Sequence, residues 1–341
     1  MIKKYDILYL SDKAIGNTLE MLYAIEYCLE NNIKASIYIE NVNKSFLNYL
    51  QNCYGKDVVL SSIDNIEVTN LVHTFIVNKK VNIKYDNYIY INPDHLSTKY
   101  QSETEQYLSV VKALYPSNYD SPILSKLIGK ETQRIKNLNI QNKVVIYSGC
   151  SSFAAVRRWP YYMELIKKLG EENIIVVGGN DDLVNDYAYI YKNFISKVTP
   201  YQLTNRKSFW NLCKKLHLLQ PYAHNKDIAN LKNSYFNIFS WEELVYIFKN
   251  AKVFIGNDGG LMHLASASGA KGIAIFGATS VAKSKSYNPK IKELYTNYDC
   301  QPCHFGVGKV YINNYFISCP YQVKCLHNIS VEQVLEEIGK L

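Results

Sequence analysis

No stretch of the 341-residue chain approaches the ~18 consecutive apolar residues of a membrane-spanning helix, so a transmembrane protein is excluded. The first ten residues, MIKKYDILYL, have neither a long apolar core nor a small-residue cleavage site, so no secretory leader is expected. Internal repeats and low-complexity tracts are missing, and a hydrophobic fraction of 48% is too high for a disordered chain. Eight cysteines over this length fall short of a disulfide scaffold. Without a leader the chain is expected in the reducing cytosol, where clustered cysteines point to a metal before a disulfide. A basic stripe is missing too. The 38 Lys and Arg against 30 Asp and Glu give +8, but they are scattered apart from doublets such as Lys79-Lys80 and Arg157-Arg158. No nucleic-acid partner is therefore expected. The modest excess suits an anionic ligand or surface, or serves solubility alone.

At ~100–200 residues per domain, the length allows two domains or one large α/β domain. Tyr5 to Leu10 is a short apolar run followed by a polar turn. Leu19, Leu22, Ile25 and Leu29 then recur at helical spacing, and Ala35, Ile37 and Ile39 alternate as a strand. Tyr88 to Ile91 is a further strand candidate. Strands separated by helices predict parallel βαβ units. The polar segment near 126–142 reads as the passage from one domain to the next. Beyond it, strands are predicted at Lys143–Tyr147, Ile174–Val177, Val253–Ile255 and Gly272–Phe276. Ser240 with Glu243, and Ser330 with Gln333, are capping boxes opening helices. Residues 185–235 read as an insertion rich in Tyr, Asn and Lys.

Three strand ends in the second half carry Gly with Ser, Thr or Asp, and ligands of open parallel sheets bind outside such ends. The strongest run is Gly256-Asn257-Asp258-Gly259-Gly260-Leu261-Met262-His263-Leu264-Ala265. Its glycines let the backbone approach a ligand, and the N–H groups of the new helix suit a diphosphate. Asp258 can fix the loop or bind a hydroxyl, and His263 lies in the first turns of the helix. Taken alone, the run is equally a glycine-rich turn with a packed histidine. The second run, Ser148-Gly149-Cys150-Ser151-Ser152 with Arg157-Arg158-Trp159-Pro160 behind it, suits a phosphate-bearing ligand, because Arg binds oxygen pairs bidentately. A third constellation is Cys300, Cys303, Cys319 and Cys325. Four thiolates can hold zinc or iron tetrahedrally, or stay reduced thiols.

Together these segments resemble glycosyltransferase family 9, the bacterial heptosyltransferases. Ser148 to Pro160 is similar to that family's "PGAS…KRWP" segment, Gly178-Gly179 to its GG turn, and Asp258 to Ala265 with Phe276-Gly277-Ala278-Thr279 to its "DTGxxHxAxA…FGPT" signature. The resemblance covers the C-terminal half and the opening 30 residues, and is poor over 41–140 and 185–235. It implies an α/β chain of GT-B architecture, two Rossmann-like domains facing each other across a cleft. The boundaries then expected are an acceptor-binding domain at 1–130, a linker at 131–142 and a donor domain at 143–328. A last helix at 329–341 is expected to pack back on the first domain. The implied donor site comprises Ser148, Gly149, Ser151, Arg157 (on the donor phosphate), Asp258, Gly259, Gly260, Leu261, Met262 and His263. Gly259 stands where Thr or Ser is usual, Ala278 where Pro is, and Ser148 where Pro is. Family members with a similar Cys-rich segment support a structural metal at the four cysteines.

One departure bears on catalysis. Gly16-Asn17 occupies the place of the family's Gly-Asp, whose carboxylate serves as base on the acceptor hydroxyl, and an amide cannot accept that proton. Glu20, three residues on and so on the same helical face, can take over. The expected activity is inverting transfer of a sugar, foremost a heptose from ADP-heptose, to a lipopolysaccharide core or a protein hydroxyl. No catalytic divalent metal is expected, because Arg157 and the helix N-terminus can stabilise the leaving diphosphate. The acceptor side implies an anionic glycolipid or protein partner, and peripheral association with the inner face of the cytoplasmic membrane. The rivals are a transferase of another nucleotide sugar and a catalytically silent sugar-nucleotide-binding subunit.

Overall fold

The structure is a computed structural model. It describes residues 6–11, 15–33, 35–39, 43–55, 60–61, 73–77, 88–91, 102–150, 157–179, 182, 226–302, 311–312, 315–316 and 323–341. Ser151, Cys303, Cys319 and residues 183–225 lie outside the described residues.

Two parallel sheets organise the chain. The first has the order β3-β2-β1-β4-β5, with β1 at Asp6–Ser11, β2 at Ala35–Ile39, β3 at Leu60–Ser61, β4 at His73–Val77 and β5 at Tyr88–Ile91. The second has the order β11-β10-β9-β6-β7-β8. Its strands are β6 at Val144–Tyr147, β7 at Ile174–Gly178, β8 at Ser234–Phe236, β9 at Val253–Asn257, β10 at Gly272–Ile275 and β11 at Ile291–Leu294. All pairings in both sheets are parallel. Each sheet steps outward from its first strand, then returns to that strand's other side. That is the doubly wound order with a topological switch point, lying between β1 and β4 in one sheet and between β6 and β9 in the other. Two such sheets make the GT-B architecture.

The described helices are α1 at Ile15–Glu30, α2 at Lys44–Tyr54, α3 at Glu103–Leu114, α4 at Tyr162–Leu169, α5 at Trp241–Asn250, α6 at Gly260–Ala267 and α7 at Val331–Lys340, besides shorter helical turns. The apolar spacing of α1 predicts one buried face. The helix instead buries Leu19 through Cys28 without a break, because α3 covers one side and α6, from the other sheet's half, covers another. One core cluster accordingly runs from Leu22 and Tyr107 to Met262 and Phe276. At the far end of this contact, Trp241 Nε1 donates to Ser45 Oγ at 3.0 Å and its ring lies 4.8 Å from Phe46.

The polar segment read as a passage between domains is stitched to both halves. Glu26 of α1 accepts from the N–H groups of Ser125 and Lys126, at 2.8 and 3.0 Å. Leu124 N–H donates to Ala267 O, Lys130 N–H donates to Glu242 O, and Arg134 pairs with buried Glu243 at 2.5 Å. The last helix corrects an expectation. α7 packs on β10 and α4 of the second half, where Val331 and Val334 enter a core with Trp159 and Ile275. Two apolar residues one turn apart need an apolar neighbour, and the flank of the second sheet supplies it.

Candidate functional site

The loops leaving β6 and β9 flank the switch point of the second sheet, and Asn257, the last residue of β9, joins them. Its Oδ1 accepts from Trp159 N–H at 2.9 Å and from the Tyr162 hydroxyl at 3.0 Å, while Nδ2 donates to Gly149 O at 2.9 Å. The amide is fully buried and uses both its ends. Gly149 is a glycine for a spatial reason: a Cβ there would lie 2.1 Å from the Asp182 carboxyl. That carboxylate accepts from Gly179 N–H at 2.7 Å and from the Tyr147 hydroxyl at 3.4 Å, locking the turn after β7 against the turn after β6. Cys150 is buried in the same corner, and burial pushes its thiol up to about 11, so it is a poor nucleophile.

Above this base, α6 begins at Gly260 with no side-chain cap and no acidic residue in its first turn. Its first N–H groups carry the positive end of the helix dipole. Arg157 pairs with Asp258, Nη1 to Oδ2 at 3.3 Å, while its buried Nε has no hydrogen-bond partner among the described residues. Asp258 is pinned further by the Thr279 hydroxyl, which donates at 2.6 Å from the loop after β10. A guanidinium with an unanswered N–H beside an uncapped helix start is a site for a phosphate oxygen. His263 stands one turn into α6, nine-tenths buried, and burial lowers its basicity, so it is neutral at pH 7.

The first half meets this site through the N-terminus of α1. A Cβ on Gly16 would come 2.9 Å from His263 Cδ2, and one on Gly260 would come 3.2 Å from Ile15 Cβ. The two helix starts therefore touch. Asn17 is half-buried beside the contact, and Glu20 lies beneath it, 3% exposed. Its Oε1 has no hydrogen-bond partner among the described residues and lies 3.9 Å from His263 Nδ1. Burial raises the Glu20 pKa well above the carboxylate range, helped by the charge of Glu103 and a side-chain hydrogen bond with it. Glu103 itself pairs with buried Lys283 at 2.8 Å, across the halves.

The structure thus brings Glu20, Arg157, Asp258, Gly259, Gly260 and His263 to one place, with Asn17, Leu261 and Met262 on the same helix starts. Ser148 and Gly149 lie in the adjoining loop, Ser148 wholly buried. Sequence reasoning missed Asn257, Thr279, Asp182, Glu103 and Lys283 as parts of the site. Asn257 and Thr279 stand inside motifs already singled out, and only their buried side-chain bonds mark them. Glu103 and Lys283 carry no local signal. Of the four cysteines, Cys300 and Cys325 are described. Their segments are tied together, since Thr296 Oγ1 donates to Cys325 O at 3.1 Å and hydrogen-bonds the Gln301 side chain. Among the described residues no group of three or more metal-ligating side chains is found, so these two thiols alone do not make a metal centre.

Residues 231–307, which hold β9, α6 and the loop after β10, match glycosyltransferase family 9 (heptosyltransferase). The matched residues lie within the second half. Lipooligosaccharide heptosyltransferase 2 of Campylobacter jejuni is 23% identical over 220 residues, 60% of this chain. The match spans only about 55% of that relative's length. The structure of E. coli ADP-heptose lps heptosyltransferase II aligns with a TM-score of 0.57 at 14% identity, covering 98% of both chains. The iron-containing dodecameric glycosyltransferase TibC of enterotoxigenic E. coli aligns with a TM-score of 0.63 at 15% identity, over 99% of this chain and 76% of that one. At these identities the two structures support the fold. Among the described residues no helix is long and apolar enough to cross a membrane.

Proposed function

We propose that the protein is an inverting glycosyltransferase that takes a heptose from ADP-heptose and passes it to a hydroxyl of a lipopolysaccharide core or a surface protein. The observation that carries this reading is the buried Arg157 Nε without a partner, beside an uncapped helix start at the switch point. The helix start lies within residues 231–307, which match family 9. In this reading the acceptor hydroxyl attacks the anomeric carbon from the face opposite the diphosphate. The bond to the diphosphate breaks, and its charge passes to Arg157 and the N–H groups of α6. No divalent ion is required for that step. Glu20 accepts the hydroxyl proton, since the Asn17 amide cannot, and an acceptor seated between the halves reaches it only by displacing the packing at Gly16. The four cysteines hold a structural zinc or iron, with Cys303 and Cys319 completing the pair Cys300 and Cys325. The enzyme works in the cytoplasm, against the inner face of the membrane where a glycolipid acceptor would be presented.

The test incubates the pure protein with a panel of sugar nucleotides and measures thermal shift and donor turnover. ADP-heptose is expected to stabilise the protein and to be turned over. Arg157→Ala should lower kcat/KM by the equivalent of about 2–4 kcal/mol, and Glu20→Gln should lower kcat by roughly 10²–10⁴. Unchanged rates in both variants would end the assignment. A second reading, a sugar-nucleotide-binding subunit without catalysis, is favoured by Asn17 in the base position. Stabilisation by a donor with no turnover on any acceptor would select it.

A further inference from the structure

The buried cluster between the halves has more acids than permanent cations. Three carboxyls meet there: Glu20 of α1, Glu103 at the start of α3 and Asp258 after β9. Two cations face them, Arg157 at 3.3 Å from Asp258 and Lys283 at 2.8 Å from Glu103. The sixth group is His263, with Nδ1 3.9 Å from Glu20 Oε1 and Nε2 3.9 Å from Asp258 Oδ1. Among the described residues these are the charged groups that act most strongly on Glu20 and His263. With every carboxyl ionised and the imidazole neutral, the cluster would hold a net charge of −1 away from water, which is costly. One proton is therefore kept. Asp258 is paired with Arg157, and Glu103 with Lys283 as well as with Glu20, so the proton lies in the Glu20–Glu103 hydrogen bond and its other home is His263 Nδ1.

We propose that binding of the donor's diphosphate moves this proton from Glu20 to His263, so that the base is ionised only while the donor is present. The proposal rests on the reading of Arg157 and Glu20 given above. A phosphate oxygen on Arg157 Nε competes with Asp258 for the guanidinium. Asp258 is then less compensated, and it and the diphosphate both favour an imidazolium at His263. The Glu20 O–H bond breaks, an N–H bond forms at His263 Nδ1, and the electron pair stays on the Glu20 carboxylate. The transfer closes a 3.9 Å gap to hydrogen-bond length, a tightening that belongs to the liganded state. Gly16 permits it, since it lets the imidazole lie directly against α1 one turn above Glu20. His263 is thus a positioning residue acting through Glu20.

The experiment records imidazole ¹⁵N resonances of the full chain at pH 7.5, with His263 assigned by comparison with His263→Asn. ADP and inorganic pyrophosphate are the probes, their binding is checked by calorimetry, and proton uptake is read in buffers of different ionisation enthalpy. Saturating ADP is expected to convert His263 from neutral imidazole to imidazolium with much less than one proton taken up. In Glu20→Gln, His263 is expected to stay neutral. A neutral His263 in the ADP-bound wild type overturns the proposal, whether or not the variant folds. Equal charging in Glu20→Gln, or uptake of a full proton by the wild type, also overturns it. Failure of both probes to bind removes the donor-site reading and the proposal with it, and calorimetry distinguishes that result from a bound but neutral site.

Discussion

Asn257 is the residue whose removal should reveal most about how the site is held. Its side chain accepts from Trp159 N–H and Tyr162 hydroxyl and donates to Gly149 O, all in a buried setting. Asn257→Ala removes three bonds together and leaves the Trp159 N–H and the Gly149 carbonyl without partners. An unsatisfied buried backbone group costs about 1–3 kcal/mol, whereas a neutral hydrogen bond is worth about 0.5–1.5 net. The Tyr162 hydroxyl contributes at the lower figure, so the loss should be roughly 3–6 kcal/mol. With a urea slope of ~1–3 kcal/mol/M, the midpoint should fall by about 1–6 M. Equilibrium unfolding followed by tryptophan fluorescence measures this directly, because Trp159 sits at the lost contact. Asn257→Asp is the informative partner. It keeps both acceptor roles but sets an ionised oxygen against Gly149 O, so it should lose less than Ala and least at acid pH, where a protonated carboxyl can donate. Arg157 lies two residues before Trp159, so the Ala variant should also bind donor poorly. A loss below about 1 kcal/mol in Asn257→Ala would show that the loops hold their positions without the amide, and the reasoning would fail.

Gly16→Ala places a methyl 2.9 Å from His263 Cδ2, and should cost about 1–3 kcal/mol in thermal or urea unfolding. Adding His263→Ala should recover part of that loss, and no recovery would mean that the contact is not the cause. For Glu20 the sign follows from a folded-state pKa raised above its ordinary 4.5. The folded protein keeps a proton that the unfolded chain has lost, so this contribution is full below about pH 4 and disappears as pH rises through the folded value. Relative to Glu20→Gln, the wild type should therefore lose stability from about pH 4.5 upward, and parallel pH–stability curves would refute the burial argument. Elemental analysis of reduced, chelator-free protein should find about one zinc or iron per chain, lost in Cys303→Ser, and neither metal in the wild type would dismiss the four-cysteine site.

Much of the fold could be read from local pattern. The strands at 144–147, 174–178 and 253–257 are short apolar runs bounded by glycine or polar turns, and burial on both faces gives such strands a continuous hydrophobic sequence. The capping boxes at Ser240 and Ser330 form as their spacing predicts, with Glu243 and Gln333 returning a bond to the cap N–H. Local pattern says less where tertiary partners decide. The polar segment near 126–142 shows no apolar periodicity, yet Ile135 and Ile140 are buried and Glu26, 99 residues earlier, binds its backbone. The last helix has one apolar stripe that would fit either half. Nothing within its ten residues says that β10 and α4 are its neighbours.

The site divides along the same physical line. The face proposed to bind the donor is made of backbone and short side chains at strand ends, and such turns need glycine, serine or aspartate at fixed offsets, so the chemistry is written locally. That is why Arg157, Asp258 and Gly260, which the structure brings together, stand in runs that order and spacing single out. The face proposed to bind the acceptor depends on one carboxyl whose properties are set by groups far apart in the chain. Glu20 reads as a helix-surface glutamate one turn from Asn17, and only the packing of α1 against α6 buries it. Glu103, 83 positions later in the numbering, then raises its pKa, and Lys283 holds Glu103 in place. A carboxyl in water is a weak base with a low pKa, whereas one buried between two domains becomes strongly basic once it is ionised. The Asn17 amide therefore adds no further carboxyl to a group of described side chains that already has one acid more than its permanent cations.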